Sequence, residues 1–296
     1  MNAMPVAQDR TASRALGRRR RFADQLVRAL CLLATFIGLF FLVSILLTLI
    51  IRGISALDLI VFTREFEPTT YGDPTALKGG LYHAIMGTLV QTALGTAIGT
   101  PIGLLVGTYL AEYARGSALG NAVRFVSDVL LSAPSILVGL FVYQLVVLPM
   151  GAFSGIAGAA ALAILVIPVV VRTTEDMLQL IPNTLREAVV GLGAPKWKMI
   201  TLVCWRAALS GIVTGILLAT ARITGETAPL LLTSFGNNIT SFDLSSAMAS
   251  LPIAIYQQAN SGFPDLIEIA WAGALIVTFG VLFINIIARL LLRGRT

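Results

Sequence analysis

The sequence predicts an all-α integral membrane protein with six transmembrane helices, and three observations predict it. The 296-residue chain is 56% hydrophobic and only 12% charged, whereas a soluble domain carries roughly 25% charged residues to cover its surface. Six apolar runs, separated by polar links, are each long enough to cross a hydrocarbon layer of about 30 Å at about 1.5 Å per helical residue. Lys and Arg crowd one side of the resulting topology, as the positive-inside rule requires of a cytoplasmic face. The net charge of +6 is therefore read as setting membrane orientation, and no nucleic-acid partner is expected.

The elements follow in order. Residues 1–28 form a basic cytoplasmic tail with Gly-Arg-Arg-Arg-Arg at 17–21, read as a topogenic charge cluster. The first span, 29–51, is ALCLLATFIGLFFLVSILLTLII, which is too long for a signal-peptide core and is expected to stay uncleaved. An extracytoplasmic loop, 52–80, carries Pro68, Asp73-Pro74 and Gly79-Gly80. The second span, 81–112, is rich in Gly, Ala and Thr, small residues that let membrane helices approach closely, and Pro101 is expected to kink it. Spans three and four, 126–148 and 155–178, form a tight hairpin, with a kink expected at Pro168. A long cytoplasmic insertion, 173–206, leads into span five at 207–232. The extracytoplasmic loop 233–264 precedes the sixth span, 266–292, and residues 293–296 form the C-terminus.

Six spans place both termini on one side. That side holds seven basic residues in the tail, then Arg115, Arg124, Arg172, Arg186, Lys196, Lys198, Arg206, Arg289, Arg293 and Arg295; the other holds Arg52, Arg64 and Lys78. Both termini are therefore expected in the cytoplasm. The halves show no internal repeat, which favours half of a pathway completed by a second subunit over a single-chain secondary transporter. Cys31 and Cys204 are far apart and fit neither a disulfide framework nor a zinc site. The tripeptide Asn238-Ile239-Thr240 fits the glycosylation pattern, without support from any other feature. His83 is read as an interfacial polar residue, and Asp128, Glu175 and Asp176 as solvated.

The insertion has too much pattern for a linker. Leu185, Ala188, Val189 and Leu192 recur at helical spacing after Pro182. Gly191 and Gly193 break the run, and Pro195 opens a second short helix with Trp197, Ile200 and Val203 on one side. Two short helices joined by a glycine turn suit a knob that fits a groove on another protein. The stretch EAVVGLGAPKWKMITLV, 187–203, resembles the coupling loop of binding-protein-dependent ABC importer permeases. Glu187, Ala188 and Gly193 match that pattern, Val189 replaces a second Ala, and Trp205-Arg206 stands where Leu-Pro is common.

The resemblance implies a type I ABC importer permease fold in a bacterial plasma membrane. It implies a coupling function for Glu187, Ala188, Gly191, Gly193, Pro195 and Trp197 against separate ATPase subunits. No GxxxxGK[ST] occurs in the chain, so ATP and Mg are expected on those partners and no cofactor is expected here. No catalytic or metal site is expected either, since the chain lacks HExxH and a second histidine.

The fifth apolar run carries ARITGETAPLLLT, with Arg222 and Glu226 four residues apart. A mid-membrane charge costs about 2.5–3.5 kcal/mol on insertion scales, so both residues should face a protein interior or an aqueous cavity. On a regular helix they would share one face. An arginine fork matches a tetrahedral oxyanion, and a carboxylate accepts the proton that partly protonated phosphate donates. Arg222, Glu226, Thr224 and Thr227 are therefore candidates to line a substrate pathway; an ion pair that braces the bundle is the other reading.

Here the sequence is similar to the phosphate-specific (Pst) branch of these permeases, to PstA-type subunits in particular, with LPIAIYQQA at 251–259 and AWAGALIVTFGVLFINIIARLL at 270–291 adding to the match. That implies ATP-driven phosphate import with a PstC-type second permease, two PstB-type ATPases and an extracytoplasmic PstS-type phosphate-binding protein, in contact with membrane lipid. A permease for molybdate or sulfate is the alternative within the class; a channel or secondary transporter is the alternative outside it.

Overall fold

The computed structural model describes residues 10–67 and 79–293. Lys78, Pro68, Asp73-Pro74, Arg295, residues 1–9 of the tail and residues 294–296 of the C-terminus lie outside the described residues. All regular structure among the described residues is helical. Among the described residues five helices are long and apolar enough to cross a membrane, or six spans if one bent pair of helices is taken together.

The chain divides into two compact units, Met1–Ile51 and Arg52–Thr296. The first consists of most of helix α1, Arg10–Ala56. The basic segment that the sequence presents as a tail is thus helical from Arg10 and continuous with the apolar span, which covers Ala23–Ala56. Leu33, Phe36, Phe40 and Leu47 lie exposed on it, as expected of a helix whose solvent is lipid.

The second unit begins with the short α2, Leu59–Thr63, and the long α3, Tyr82–Glu112. Helices α4, Ala118–Ser132, and α5, Ser135–Met150, follow at 105° to each other. The expected straight span at 126–148 is therefore broken in its middle. Pro134 is the cause: it has no amide hydrogen to donate and drives Ala133 to extended backbone at φ −68°, ψ 140°. Helix α6, Gly155–Gln179, is the most buried span. After it come α7, Asn183–Gly191; α8, Lys196–Thr224; the six-residue α9, Ala228–Thr233; α10, Leu251–Ala259; and α11, Pro264–Arg293.

The packing centre is the α3–α6 pair. Gly95, Gly99, Gly103 and Gly107 recur every fourth residue, so they lie along one stripe of α3. A Cβ at Gly95 would sit 2.8 Å from Leu162 Cβ, one at Gly99 2.8 Å from Val166 Cβ, one at Gly103 2.6 Å from Val170 Cβ and one at Gly107 2.8 Å from Thr174 Cβ. The partners on α6 are also four apart and ascend in the same order, so the two helices run in the same direction with backbones in close approach. Leu162, Val166 and Val170 continue into a core with Val138, Ala219, Ile223 and Leu230.

Gly99→Leu should break this seam. Overpacking costs typically about 1–3 kcal/mol, and the first atoms met are a branched side chain and the Ala163 carbonyl oxygen at 2.9 Å. The expected result is a thermal midpoint several degrees lower for the purified protein, with Gly38→Leu, which meets nothing within 4 Å, unchanged.

The N-terminal end of α6 is capped from a distance. Ser154 Oγ accepts the Ala157 amide at 3.2 Å, and the loop 234–250 supplies Ser246 and Leu244 carbonyls to the amides of Gly155 and Ile156, both at 3.0 Å. This long loop is thereby ordered by the orphan donors of a helix start.

Candidate translocation and coupling sites

Helix α8 ends at Thr224, two residues after Arg222. The amides of Gly225 and Glu226 bond to the Arg222 and Ile223 carbonyls at 3.2 Å each, the tightened bonds of a closing turn. Pro229 then lies in the first turn of α9. The charged pair therefore straddles a helix break around Gly225, inside the span 207–232 that the sequence predicts and where Pro229, which lacks an amide hydrogen, is able to open the helix. Arg222 Nε and Glu226 Oε1 remain 3.7 Å apart, an ion-pair distance beyond hydrogen-bonding range. Arg222 is 43% exposed and Glu226 only 16%, so the arginine is free to engage another group while the carboxylate stays tucked behind it. Arg222 also sits in the last turn of α8, where a cation is favoured by the helix dipole.

The two threonines differ. Thr224 Oγ1 donates to the Thr220 carbonyl at 2.8 Å, so its hydroxyl proton is committed to its own helix and only its lone pairs are available outward. Thr227 precedes α9, half-buried, and its carbonyl accepts the Leu231 amide at 3.0 Å. The break is braced from behind, because Gly139 of α5 leaves room for Pro229: a Cβ there would lie 2.6 Å from Pro229 Cα.

The insertion at 173–206 forms a helix, α7, and a turn. Glu187 and Ala188 are exposed on α7, Gly191 ends it, and Gly193 takes φ +79°, the left-handed backbone that glycine adopts without steric penalty. Pro195 precedes α8. The expected second short helix is thus the opening turn of α8 itself, which passes through a widened π turn at Met199–Cys204 and on to Thr224. Trp205 and Arg206 lie inside this continuous helix, so no Leu-Pro entry is needed; Trp205 Nε1 donates to Thr108 Oγ1 at 3.1 Å. Trp197 and Ile200 do not share a surface: Trp197 is 59% exposed and Ile200 is buried. With Leu192 at 87% and Val190 at 54% exposure, the turn presents an apolar knob.

Buried charge holds that knob in place, and sequence reasoning missed it. Arg186 of α7 is buried and its guanidinium is saturated. It donates to Glu112 Oε1 at the end of α3, at 2.7 and 3.2 Å, to the Leu178 carbonyl at 2.6 Å, and to the Ile181 carbonyl. Lys196 Nζ donates to the Glu112 carbonyl at 2.6 Å and lies 4.2 Å from the centroid of the Tyr113 ring. Close by, Arg124 Nε meets Glu175 Oε1 at 2.7 Å. Glu175 is 3% exposed, so it is a buried partner and not the solvated residue expected, whereas Asp128 and Asp176 are exposed and pair with Arg172. Partners 74 residues apart carry no local spacing signal; the available clue was charge at the very ends of apolar runs.

His83, read from the sequence as an interfacial polar residue, lies in the first turn of α3. It is buried at 4% exposure beside a small polar pocket. Asn238-Ile239-Thr240 lies in the outer loop, where the Thr240 amide donates to Glu65 Oε1 at 2.9 Å and holds that carboxyl below its ordinary range. No cluster of three or more His, Cys, Asp or Glu side chains suited to a metal occurs among the described residues.

Known proteins place this geometry. The chain is similar to the phosphate transport system permease protein PstA of Pasteurella multocida, at 54% identity over 92% of this chain and 95% of that one. The corresponding protein of Haemophilus influenzae is 50% identical over 92% of this chain and 94% of its own length. PstA 1 of Mycobacterium tuberculosis is 38% identical over 74% of this chain and 71% of its own. Among solved structures, a bacterial ABC transporter that imports the acidic polysaccharide alginate matches with TM-score 0.63 at 16% identity, over 93% of this chain and 99% of that one. The inward-facing MetNI methionine ABC transporter matches with TM-score 0.61 at 21% identity, over 73% and 96%. At these identities the structures speak for the fold, that of type I ABC importer permeases. The description "binding-protein-dependent transport system inner membrane component" fits residues 99–296. A multi-pass helical chain with an anchored apolar knob and relatives of this identity belongs to the binding-protein-dependent transport system inner membrane components, and within them to the PstA-type permeases.

Proposed function

We propose that this chain is the permease subunit of an ATP-driven importer that moves inorganic phosphate across the plasma membrane into the cytoplasm. The observation that carries the reading is identity of about half over nearly the whole length to permeases named for phosphate transport. The chain itself performs no covalent chemistry. A PstC-type permease completes the pathway, two PstB-type ATPases bind the knobs and supply ATP and Mg, and a PstS-type binding protein delivers phosphate from outside. The exposed apolar surface of Leu192, Val190 and Trp197 supports docking on the ATPase. Glu187, Ala188, Gly191, Gly193 and Pro195 shape that docking unit. The half-exposed Arg222, with Glu226 behind it, supports an anion contact on the pathway, with Thr224 and Thr227 beside it.

Selectivity tests the substrate. In vesicles containing the complete importer, a tenfold excess of unlabelled phosphate should abolish labelled phosphate uptake, and the same excess of molybdate or sulfate should leave it nearly intact. Suppression by molybdate or sulfate would assign another oxyanion. We also place both termini in the cytoplasm, on the charge asymmetry of the sequence. A membrane-impermeant thiol reagent applied to intact cells should label a cysteine introduced at Ser245 and spare one introduced at Gly191; the reverse pattern would invert the topology.

A further inference from the structure

The outer side of the second unit contains a pocket of about 210 Å³ between the start of α3, the outer loop and α10. Ser250, Gln257 and Gln258 approach it from α10 and the residue before it, and their spacing of seven and eight places them on one helical face. His83 faces them from the first turn of α3, with Asn237 on the loop. Three of these side chains are more than nine-tenths buried, at 4% exposure for His83, 1% for Ser250 and 4% for Gln258. Yet His83 Nδ1, Ser250 Oγ and Gln258 Oε1 have no hydrogen-bond partner among the described residues. Buried polar atoms are costly to leave unpaired, and here three belong to residues that line one cavity.

The three atoms call for a particular partner. Gln258 Oε1 can only accept, Ser250 Oγ can donate or accept, and His83 Nδ1 does one or the other according to tautomer. An occupant that both donates and accepts hydrogen bonds satisfies all three. The lining has no Lys, Arg, Asp or Glu, and the Glu65 carboxylate, held ionised by the Thr240 amide, lies within electrostatic reach of His83. Both features disfavour a multiply charged anion and favour one of low charge.

We propose that this pocket is an outer waiting site for partly protonated phosphate, ahead of Arg222 and Glu226, with His83, Ser250 and Gln258 as its direct contacts. The proposal rests on the phosphate reading above. A fully ionised sulfate offers no proton to Gln258, so the pocket discriminates by hydrogen-bond donation as well as by charge.

The test uses the assembled importer in lipid nanodiscs without its binding protein, in an Arg222→Ala background so that retention reports on the outer pocket. Equilibrium dialysis with radiolabelled phosphate should show binding that sulfate in hundredfold excess does not displace. Ser250→Ala and Gln258→Leu, tested separately so that one misfolded variant leaves the other informative, should each weaken it at least tenfold. In importers with Arg222 intact, the same two substitutions should raise the KM for phosphate uptake with little change in ATPase rate. Unchanged binding in both variants, or no retention in the Arg222→Ala parent, would overturn the site and leave water as the partner of these atoms. Either result, with phosphate uptake by the wild-type importer intact, leaves the permease function standing; absence of phosphate uptake by the wild type would overturn that function instead.

Discussion

Arg222→Ala is expected to lower phosphate uptake by about 10- to 150-fold while leaving assembly of the importer intact. The magnitude is that of one lost charge-assisted hydrogen bond, about 1.5–3 kcal/mol. Assembly should survive because Arg222 is 43% exposed and its ion pair with Glu226 is long at 3.7 Å. A half-exposed pair of this kind contributes little to stability, so removing one member costs the fold little. Arg222→Lys should recover part of the flux, since it keeps the charge and loses the planar fork. Glu226→Gln should act differently: it removes the repulsion toward a fully ionised anion, so sulfate becomes an effective competitor. Uptake assays on purified, reconstituted variants read all three. Wild-type flux in both Arg222→Ala and Glu226→Gln would remove these residues from the pathway. Loss of the assembled complex would make the pair a brace for the break at Gly225.

The second large effect lies on α7, which precedes the other end of α8. Arg186→Ala leaves Glu112 buried with its main partner gone, a change that typically costs about 3–5 kcal/mol. It also releases the Leu178 and Ile181 carbonyls that the guanidinium bridges. Helix α7 is then no longer tied to the end of α3, and the knob can move without the spans following. The expected result is a lower thermal midpoint together with a fall in phosphate moved per ATP hydrolysed, larger than the fall in ATPase rate. Glu112→Gln should be milder, because its amide oxygen still accepts from Arg186. The double variant Arg186→Met with Glu112→Leu should recover much of the stability and little of the coupling. If the ratio of transport to hydrolysis is unchanged in Arg186→Ala, the clamp serves stability alone.

Length and hydropathy made the spans legible in the sequence, because a helix that must satisfy its backbone in lipid has little choice of composition. The close approach of α3 was also legible in kind, from the density of Gly and Ala, but not its partner: the match of Gly99 to Val166 depends on tertiary packing. Breaks were harder. Pro101 and Pro168 lie within helices that continue past them, while Pro134 and Pro229 lie at a bend and a helix start; the residue type is the same, and neighbouring contacts decide. The coupling loop was readable because its signals are local. The clamp beneath it was not, because Glu112 and Arg186 meet only after three helices are assembled. An ionisable residue at the end of an apolar run, such as Glu175, reads as solvated until the packing is known.

The central claim is that this chain carries phosphate through the membrane in a complex powered by separate ATPase subunits. The direct measurement is accumulation of radiolabelled phosphate in proteoliposomes containing both permeases and the ATPase, with binding protein outside and ATP within. Accumulation above the external concentration that requires ATP, the ATPase subunit and this chain is the predicted result. Phosphate that only equilibrates across the membrane, or that enters at the same rate without ATP or the ATPase subunit, would contradict it.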